Sequence, residues 1–160
     1  MNTSDMSAEA VAALSRQGRR LLQVGSFLFF LALLTGLVVQ KFTVPRLGLS
    51  AHLLGLMQGL FLMVAGLLWP KLTLTRALSK IAVCLIIYGC FAAWTANVLA
   101  GIWGAGNSLL PIAAGSARGS VVQEAIISIT LRSSAAALIV SVVLIIWGLR
   151  TSVLTPSKKP

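Results

Sequence analysis

The chain contains few charged residues of either sign and very few acidic ones. Of its 160 residues 10% are charged and 58% are hydrophobic, and the mean hydropathy is +0.95. A soluble domain uses about 25% charged residues to keep its surface hydrated. The composition therefore excludes an ordinary soluble domain and indicates an integral membrane protein. The length allows a single membrane domain of several spans, residues 1–160, without room for a second folded unit.

The side chains that many enzymes use are scarce as well. The chain has one histidine, His52, and three acidic residues, of which Glu124 is the only one after position 9. A Ser–His–Asp set and a haem held by two histidines of one chain are therefore excluded. A single histidine suits a five-coordinate haem, whose opposite face stays open. Cys84 and Cys90 lie six residues apart in one apolar segment, where the geometry disfavours a disulfide.

Four apolar segments predict an all-α protein, an integral membrane four-helix bundle. The predicted spans cover residues 21–39, 51–69, 81–103 and 121–149, and polar basic tails cover residues 1–20 and 150–160. Each span is long enough for a hydrocarbon core of about 30 Å. Ser50 is expected to N-cap the second helix, and Trp69 is expected to anchor that helix at the membrane interface.

The distribution of lysine and arginine predicts the orientation of the bundle. The N-terminus, the second loop and the C-terminus carry Arg16, Arg19, Arg20, Lys71, Arg76, Lys80, Arg150, Lys158 and Lys159. The first and third loops carry only Lys41, Arg46 and Arg118. The positive-inside rule then places both termini in the cytoplasm. Because the cations lie in short patches beside apolar runs, the net charge of +10 indicates a lipid bilayer as the partner and no nucleic acid.

This topology brings polar side chains to one end of the bundle. His52 lies near the start of the second helix, Asn97 near the end of the third and Glu124 at the start of the fourth. The long third loop, residues 104–120, is expected to fold over them. A purely structural bundle would not need this concentration of polar groups, so we expect a functional site at that end.

A stripe of small residues runs beside the histidine. On a helix of 3.6 residues per turn, Gly55, Gly59 and Gly66 fall within about 60° of His52. Two interpretations stay open. The stripe is either a seam for close helix packing with His52 hydrogen-bonded at its end, or a surface that a ligand or cofactor plane approaches, since ionisable groups within membranes tend to be functional. The open stripe also predicts a homo-oligomer.

Three further polar residues have two interpretations each. Glu124 is costly near lipid, so it either pairs with Arg118 or Arg132 or serves as an acid or base. Asn97 and Gln58 either bind a polar group of a substrate or form hydrogen bonds between helices. Gln58 lies about 120° around the helix from His52, so the two residues need not face one pocket.

The stretch Pro45–His52, which reads PRLGLSAH, resembles the hydroxylaminobenzene mutases, a family of small bacterial membrane enzymes. The likeness continues through Gly55 and Gly59, returns at Trp94 and Asn97, and covers about residues 16–150. A more distant similarity to styrene oxide isomerase lies in an Ala-His pair and an Ala-Asn-Val after a Trp. Where that family has an Asp before its Trp and a Tyr shortly after its Asn, this chain has an Ala and Gly101.

The resemblance implies an isomerase that converts N-arylhydroxylamines such as hydroxylaminobenzene, small aromatic substrates, into 2-aminophenols. The isomerase similarity adds ferric haem b as a Lewis acid, with His52 as its metal ligand, and favours a trimer. We expect Arg46, Gly55 and Gly59 to contact the cofactor. The implied location is the bacterial inner membrane, with several passes.

The same hypothesis assigns the catalytic side chains. Glu124 would supply a proton, and Asn97 and Gln58 would orient the substrate. The alternative function is non-enzymatic, a small four-helix membrane transporter or an assembly protein. Small multidrug transporters rely on a glutamate in the first span, and residues 21–39 contain no acid, which disfavours that alternative.

Overall fold

A computed structural model describes residues 3–152, with side chains described for residues 12–150. All regular structure in this range is helical. The helices are α1 (Thr3–Val38), α2 (Pro45–Leu68), α3 (Arg76–Trp103), α4 (Pro111–Ala114) and α5 (Val121–Ser152). Four segments are long and apolar enough to cross a membrane: Ala12–Lys41, Pro45–Lys71, Arg76–Trp103 and Val121–Arg150. The all-α prediction and the four predicted spans are confirmed to this extent.

The start of α2 differs from the expectation. The helix begins at Pro45, and its N-cap residue Val44 offers no side-chain hydrogen bond. Proline favours the first helical position because its φ angle is already helical and its missing N–H would have no partner there. Ser50 therefore lies inside the helix, and its prediction as the N-cap is wrong. The first helix is also longer than predicted, since α1 runs without a break from Thr3.

The helices pack as two pairs, α1 with α2 and α3 with α5. Contacts between α2 and α3 join the two pairs. Paired glycines bring α1 and α2 close together. A Cβ atom on Gly18 would lie 2.6 Å from the carbonyl oxygen of Gly66, and one on Gly66 would lie 2.7 Å from that of Gly18. Gly25 and Gly59 repeat this arrangement at 2.7 and 2.9 Å. The small residues of α2 are therefore used within the chain, against α1.

The loops fix which helix ends meet. At one end, here called the site end, the N–H of Val44 donates to the carbonyl of Gly101 (3.1 Å), and the hydroxyl of Thr43 donates to the carbonyl of Ile102 (2.6 Å). At the opposite end, here called the basic end, the N–H of Thr73 donates to the carbonyl of Gly148 (3.1 Å). The starts of α2 and α5 thus meet the end of α3, as predicted.

Trp69 is not an interface anchor. Its side chain is fully buried at the basic end. The indole N–H is shared between Gln17 Oε1 at 3.0 Å and Ser79 Oγ at 3.1 Å, and the Ser79 hydroxyl donates to Gln17 Oε1 at 2.6 Å. Because these partners come from α1 and α3, the tryptophan joins three segments of the bundle. The sequence pattern missed this because interface and core tryptophans both follow apolar runs.

Candidate functional site

His52 lies on α2 at its crossing with α1. Its Nδ1 atom is 2.7 Å from the carbonyl oxygen of Ala32 on α1. A carbonyl only accepts, so Nδ1 carries a proton and donates, and in the neutral tautomer with this hydrogen bond Nε2 holds the lone pair. The ring lies over Gly36, where an added Cβ would be 2.7 Å from both Cε1 and Nδ1. The site therefore orients one imidazole nitrogen and leaves the other as a ligand or acceptor.

The glycine stripe of α2 is occupied by the chain itself. An added Cβ on Gly59 would meet the backbone nitrogen of Phe29 at 2.8 Å, and one on Gly55 would meet the Trp94 ring at 2.6 Å and Ala32 Cβ at 2.7 Å. The geometry thus follows the first interpretation, a packing seam with His52 hydrogen-bonded at its end. Contact of Gly55 and Gly59 with a cofactor stays a prediction.

Gln58 on α2 and Trp94 and Asn97 on α3 are further polar side chains inside the bundle. Asn97 and Gln58 are buried, and the Asn97 amide donates to the carbonyl of Ala93 in its own helix (2.9 Å). Gln58 Oε1 and Trp94 Nε1 are buried without a hydrogen-bond partner in the described structure. A buried polar atom without a partner costs about 1–3 kcal/mol, so this pair of atoms suggests an acceptor and a donor kept for a bound molecule.

Trp94 of α3 packs on α2 at a position between His52 and Gln58. His52 faces α1, and Trp94 packs on Gly55, which lies midway between the two residues along α2. On α2 the positions of His52 and Gln58 differ by about 120° around the axis and about 9 Å along it. The imidazole and the Gln58 side chain therefore leave α2 in different directions, on either side of the position that Trp94 covers.

Glu124 ties the third loop to α5. Its Oε1 accepts from the amides of Gly106 (2.8 Å), Asn107 (3.2 Å) and Gly119 (3.4 Å). Its Oε2 accepts from the amide and the hydroxyl of Ser108, at 3.2 and 3.1 Å. These donors, and no arginine, are its described partners, so the ion pair that we considered is not formed. Both carboxylate oxygens therefore bind the third loop, residues 104–120, and hold it over the site end.

Replacing Glu124 with glutamine is expected to loosen this loop. The NH2 group that replaces one carboxylate oxygen in glutamine cannot accept a hydrogen bond, so the donors at that oxygen lose their partner. Hydrogen bonds to a charged group contribute about 1.5–3 kcal/mol each, and we expect the free energy of unfolding to fall by about 2–4 kcal/mol. Thermal melting and proteolysis of the loop measure this, with Ser116→Ala in the same loop as the control.

The same preparation tests the catalytic role predicted for Glu124. A structural role gives a modest loss of turnover per folded molecule. A fall of about 10²–10⁴-fold, the usual contribution of a general acid, in a protein that melts like the wild type would instead make Glu124 a catalytic residue.

Arg46 is exposed at the start of α2 and lines an open cleft of about 430 Å³ with Ser50, Leu53 and residues 109–113 of the third loop. The cleft is mostly apolar and has a size typical of sites for small molecules. Leu53 follows His52 by one residue, which is about 100° around the helix, and His52 itself does not line the cleft. The cation predicted to contact a cofactor thus lies at the site end.

Sequence reasoning missed the α1 side of the site. The Ala32 carbonyl and Gly36 position the imidazole, but a backbone oxygen leaves no signature in a sequence. A signal did exist in the spacing, because Gly18, Gly25 and Ala32 recur every seven residues and face the glycines of α2. Within the described residues no group of three His, Cys, Asp or Glu side chains could hold a metal ion.

Comparisons with known proteins show which family the chain is similar to. The family model described as styrene oxide isomerase matches residues 17–150. Hydroxylaminobenzene mutase HabB of Ectopseudomonas oleovorans is 46% identical over 134 residues, which cover 84% of this chain and 82% of that protein.

Hydroxylaminobenzene mutase HabA of the same organism is 40% identical over 125 residues, 78% of this chain and 93% of that protein. No solved structure matches the chain. These similarities confirm the predicted isomerase, and the chain belongs to the styrene oxide isomerase family.

Proposed function

We propose that the chain converts N-arylhydroxylamines, with hydroxylaminobenzene as the reference substrate, into 2-aminophenols. The hydroxyl group leaves the nitrogen and appears on the ortho carbon of the ring, so substrate and product have the same composition. The observation that carries the proposal is the match to two hydroxylaminobenzene mutases over most of both chains. We place the protein in the bacterial inner membrane, as a multi-pass protein with both termini in the cytoplasm. An apolar aromatic substrate would then reach the protein through the bilayer.

We further propose haem b as the cofactor, with His52 as its ligand. A metal-bound histidine usually donates its second N–H to a carbonyl or carboxylate, which fixes the tautomer and makes the ring a better ligand. His52 has this arrangement through Ala32, so the residues present fit the group. When bound, haem b supplies a Lewis-acidic iron for the oxygen of the N–O bond. Arg46, exposed six residues before His52, is the proposed cation for an acidic group of the cofactor.

We propose that side chains inside the bundle bind and orient the substrate. Gln58 Oε1 has no partner in the described structure and would accept a hydrogen bond from the N–H or O–H of the hydroxylamine. Trp94 Nε1, also without a partner, would donate one. Asn97 is held by the Ala93 carbonyl and would present its oxygen. Glu124 acts through the loop that it positions. Apolar helices around these groups keep water away from the weakened N–O bond.

Replacing Gln58 with methionine separates substrate binding from structure. Methionine has a similar length and lacks the unpaired oxygen, so the protein should melt at the same or a higher temperature. If the oxygen receives a substrate hydrogen bond, kcat/KM for hydroxylaminobenzene should fall by about 10- to 100-fold, the usual effect of one buried hydrogen bond to a polar substrate. Gln23→Met, at an exposed position of α1, is the matched control. Unchanged kinetics in the Gln58 variant would remove this residue from the site.

The proposed activity is tested by mixing detergent-purified protein with hydroxylaminobenzene and measuring 2-aminophenol by chromatography. Formation of the product in the absence of any other protein is expected. The transporter hypothesis predicts instead proton-coupled uptake into vesicles and no conversion, and that pair of results would overturn the proposal. We also propose that the chain forms a homo-oligomer, with a trimer favoured. The mass of the complex in the same preparation measures the number of subunits.

A further inference from the structure

A basic cleft lies between α1 and α3 at the end opposite His52. It has a volume of about 440 Å³ and is lined by Ala12, Ala13, Arg16, Gln17, Arg76 and Lys80. A smaller cavity of about 40 Å³ shares three of these residues and adds Leu14, Leu74 and Ser79. The cleft thus has cations at its mouth, aliphatic residues on one wall and the buried polar group of Gln17, Ser79 and Trp69 at its base.

The described side chains that line this cleft carry positive charge only. Three of the six lining side chains are cationic and none is acidic. Arg16 and Lys80 are both exposed, and the argument rests on these two. Glu124, the one acidic residue among the described side chains, lies at the other end of the bundle. An anion bound between Arg16 and Lys80 would interact favourably with both charges.

The start of α3 strengthens this inference. The helix begins at Arg76, its first turn contains no acidic residue, and Lys80 follows one turn later. The helix dipole places positive charge at an N-terminus, where cations are unfavourable and anions are stabilised. Lys80 adds to the positive charge near this helix end, so an anion bound beside it is favoured by the helix dipole as well.

The position of the cleft indicates the source of the anion. The apolar runs of α1 and α3 begin at Leu21 and Ile81, and Arg16 and Lys80 precede them by five residues and one residue, so the cleft lies just outside the apolar segments. Leu14 and Leu74 line the adjoining cavity and offer an apolar surface beside the cations. A lipid with a phosphate in its headgroup matches both parts, since basic pockets between membrane helices bind anionic headgroups.

We propose that this cleft binds the phosphate headgroup of an anionic phospholipid. Arg16 and Lys80 contact the phosphate, and the acyl chains run along the aliphatic wall. This site is separate from the proposed isomerase site at the other end of the bundle, and its test does not depend on that activity.

Native mass spectrometry of the purified full-length chain tests the proposal, with phosphatidylglycerol and the zwitterionic phosphatidylcholine as probes. We expect phosphatidylglycerol to bind at least about tenfold more tightly. A cation near a membrane surface contributes about 1 kcal/mol to the binding of anionic lipid, which is about a fivefold change in affinity. Arg16→Gln and Lys80→Gln should each weaken phosphatidylglycerol binding by about that factor.

The controls are matched in charge. Arg19→Gln on α1 and Lys71→Gln after α2 remove the same charges at the same end, outside the lining of the cleft, and should change the affinity less than twofold. Equal losses in test and control variants would show general attraction to the basic end and overturn the proposal. Glycerol phosphate binding as tightly as the lipid would overturn it in favour of a soluble phosphate ligand. Melting curves without lipid check that all four variants are folded.

Discussion

If the chain binds haem b as proposed, replacing His52 with alanine is expected to abolish its Soret band and to lower isomerase turnover by more than a hundredfold. Loss of a partner that merely orients a metal ligand costs about 10- to 100-fold in affinity or activity, so loss of the ligand itself should cost more. The chain has no second histidine. Visible absorption and turnover on one preparation measure both effects.

Two further variants make the test specific for the ligand. Imidazole added to the His52→Ala protein should restore part of the Soret band, because the free ligand enters the space that the side chain leaves. Gly36→Ala should weaken haem retention while keeping His52, since its Cβ would lie 2.7 Å from the ring. Tyr88→Phe, which only removes a hydrogen bond to Ser133, should behave like the wild type. An active wild-type protein without iron would refute the haem hypothesis.

Replacing Gly59 with leucine is expected to separate α1 from α2. A Cβ alone would lie 2.8 Å from the backbone nitrogen of Phe29 and 2.9 Å from the carbonyl oxygen of Gly25, and backbone atoms of packed helices cannot move aside as a flexible side chain can. Overpacking usually costs about 1–3 kcal/mol and sometimes more, and here we expect at least about 3 kcal/mol. The melting temperature in detergent measures the loss.

The control adds the same bulk where space exists. Ala136 is exposed on α5, and Ala136→Leu should change stability by less than about 0.5 kcal/mol. The open glycine stripe predicted a contact between subunits, whereas the structure fills it with α1 of the same chain. If Gly59→Leu dissociates an oligomer whose subunits still melt like the wild type, the stripe lies between subunits and the packing described here is wrong.

The fold could be predicted closely from the sequence, because in membrane proteins the composition and the length of the apolar segments largely determine the number and position of the helices. The four apolar runs predict four helices, and alternation of direction brings the same helix ends together. The exact helix ends and the burial of single residues depend on interactions that are harder to recognise in the sequence. Pro45 begins α2 several residues before the apolar run, and Trp69 is buried through partners on two other helices, which no local pattern encodes.

The candidate site was predictable in its residues and less so in its arrangement. His52 was identified because an ionisable group within an apolar helix is rare. Its orientation depends on the Ala32 carbonyl and Gly36, which only become partners when α1 packs. Glu124 was expected either to pair with an arginine or to serve as an acid or base. It accepts from loop amides instead, because a glycine-rich loop offers many unpaired N–H groups whose number sequence inspection does not reveal.

The most direct test of the proposed isomerisation follows the oxygen atom. Hydroxylaminobenzene labelled with oxygen-18 on its hydroxyl group is incubated with the purified protein in ordinary water. The mass of the 2-aminophenol is then measured by mass spectrometry. An isomerase that moves the hydroxyl group within the substrate should give a product that retains the label. A product whose ring oxygen comes from water would contradict the account, and so would the absence of 2-aminophenol.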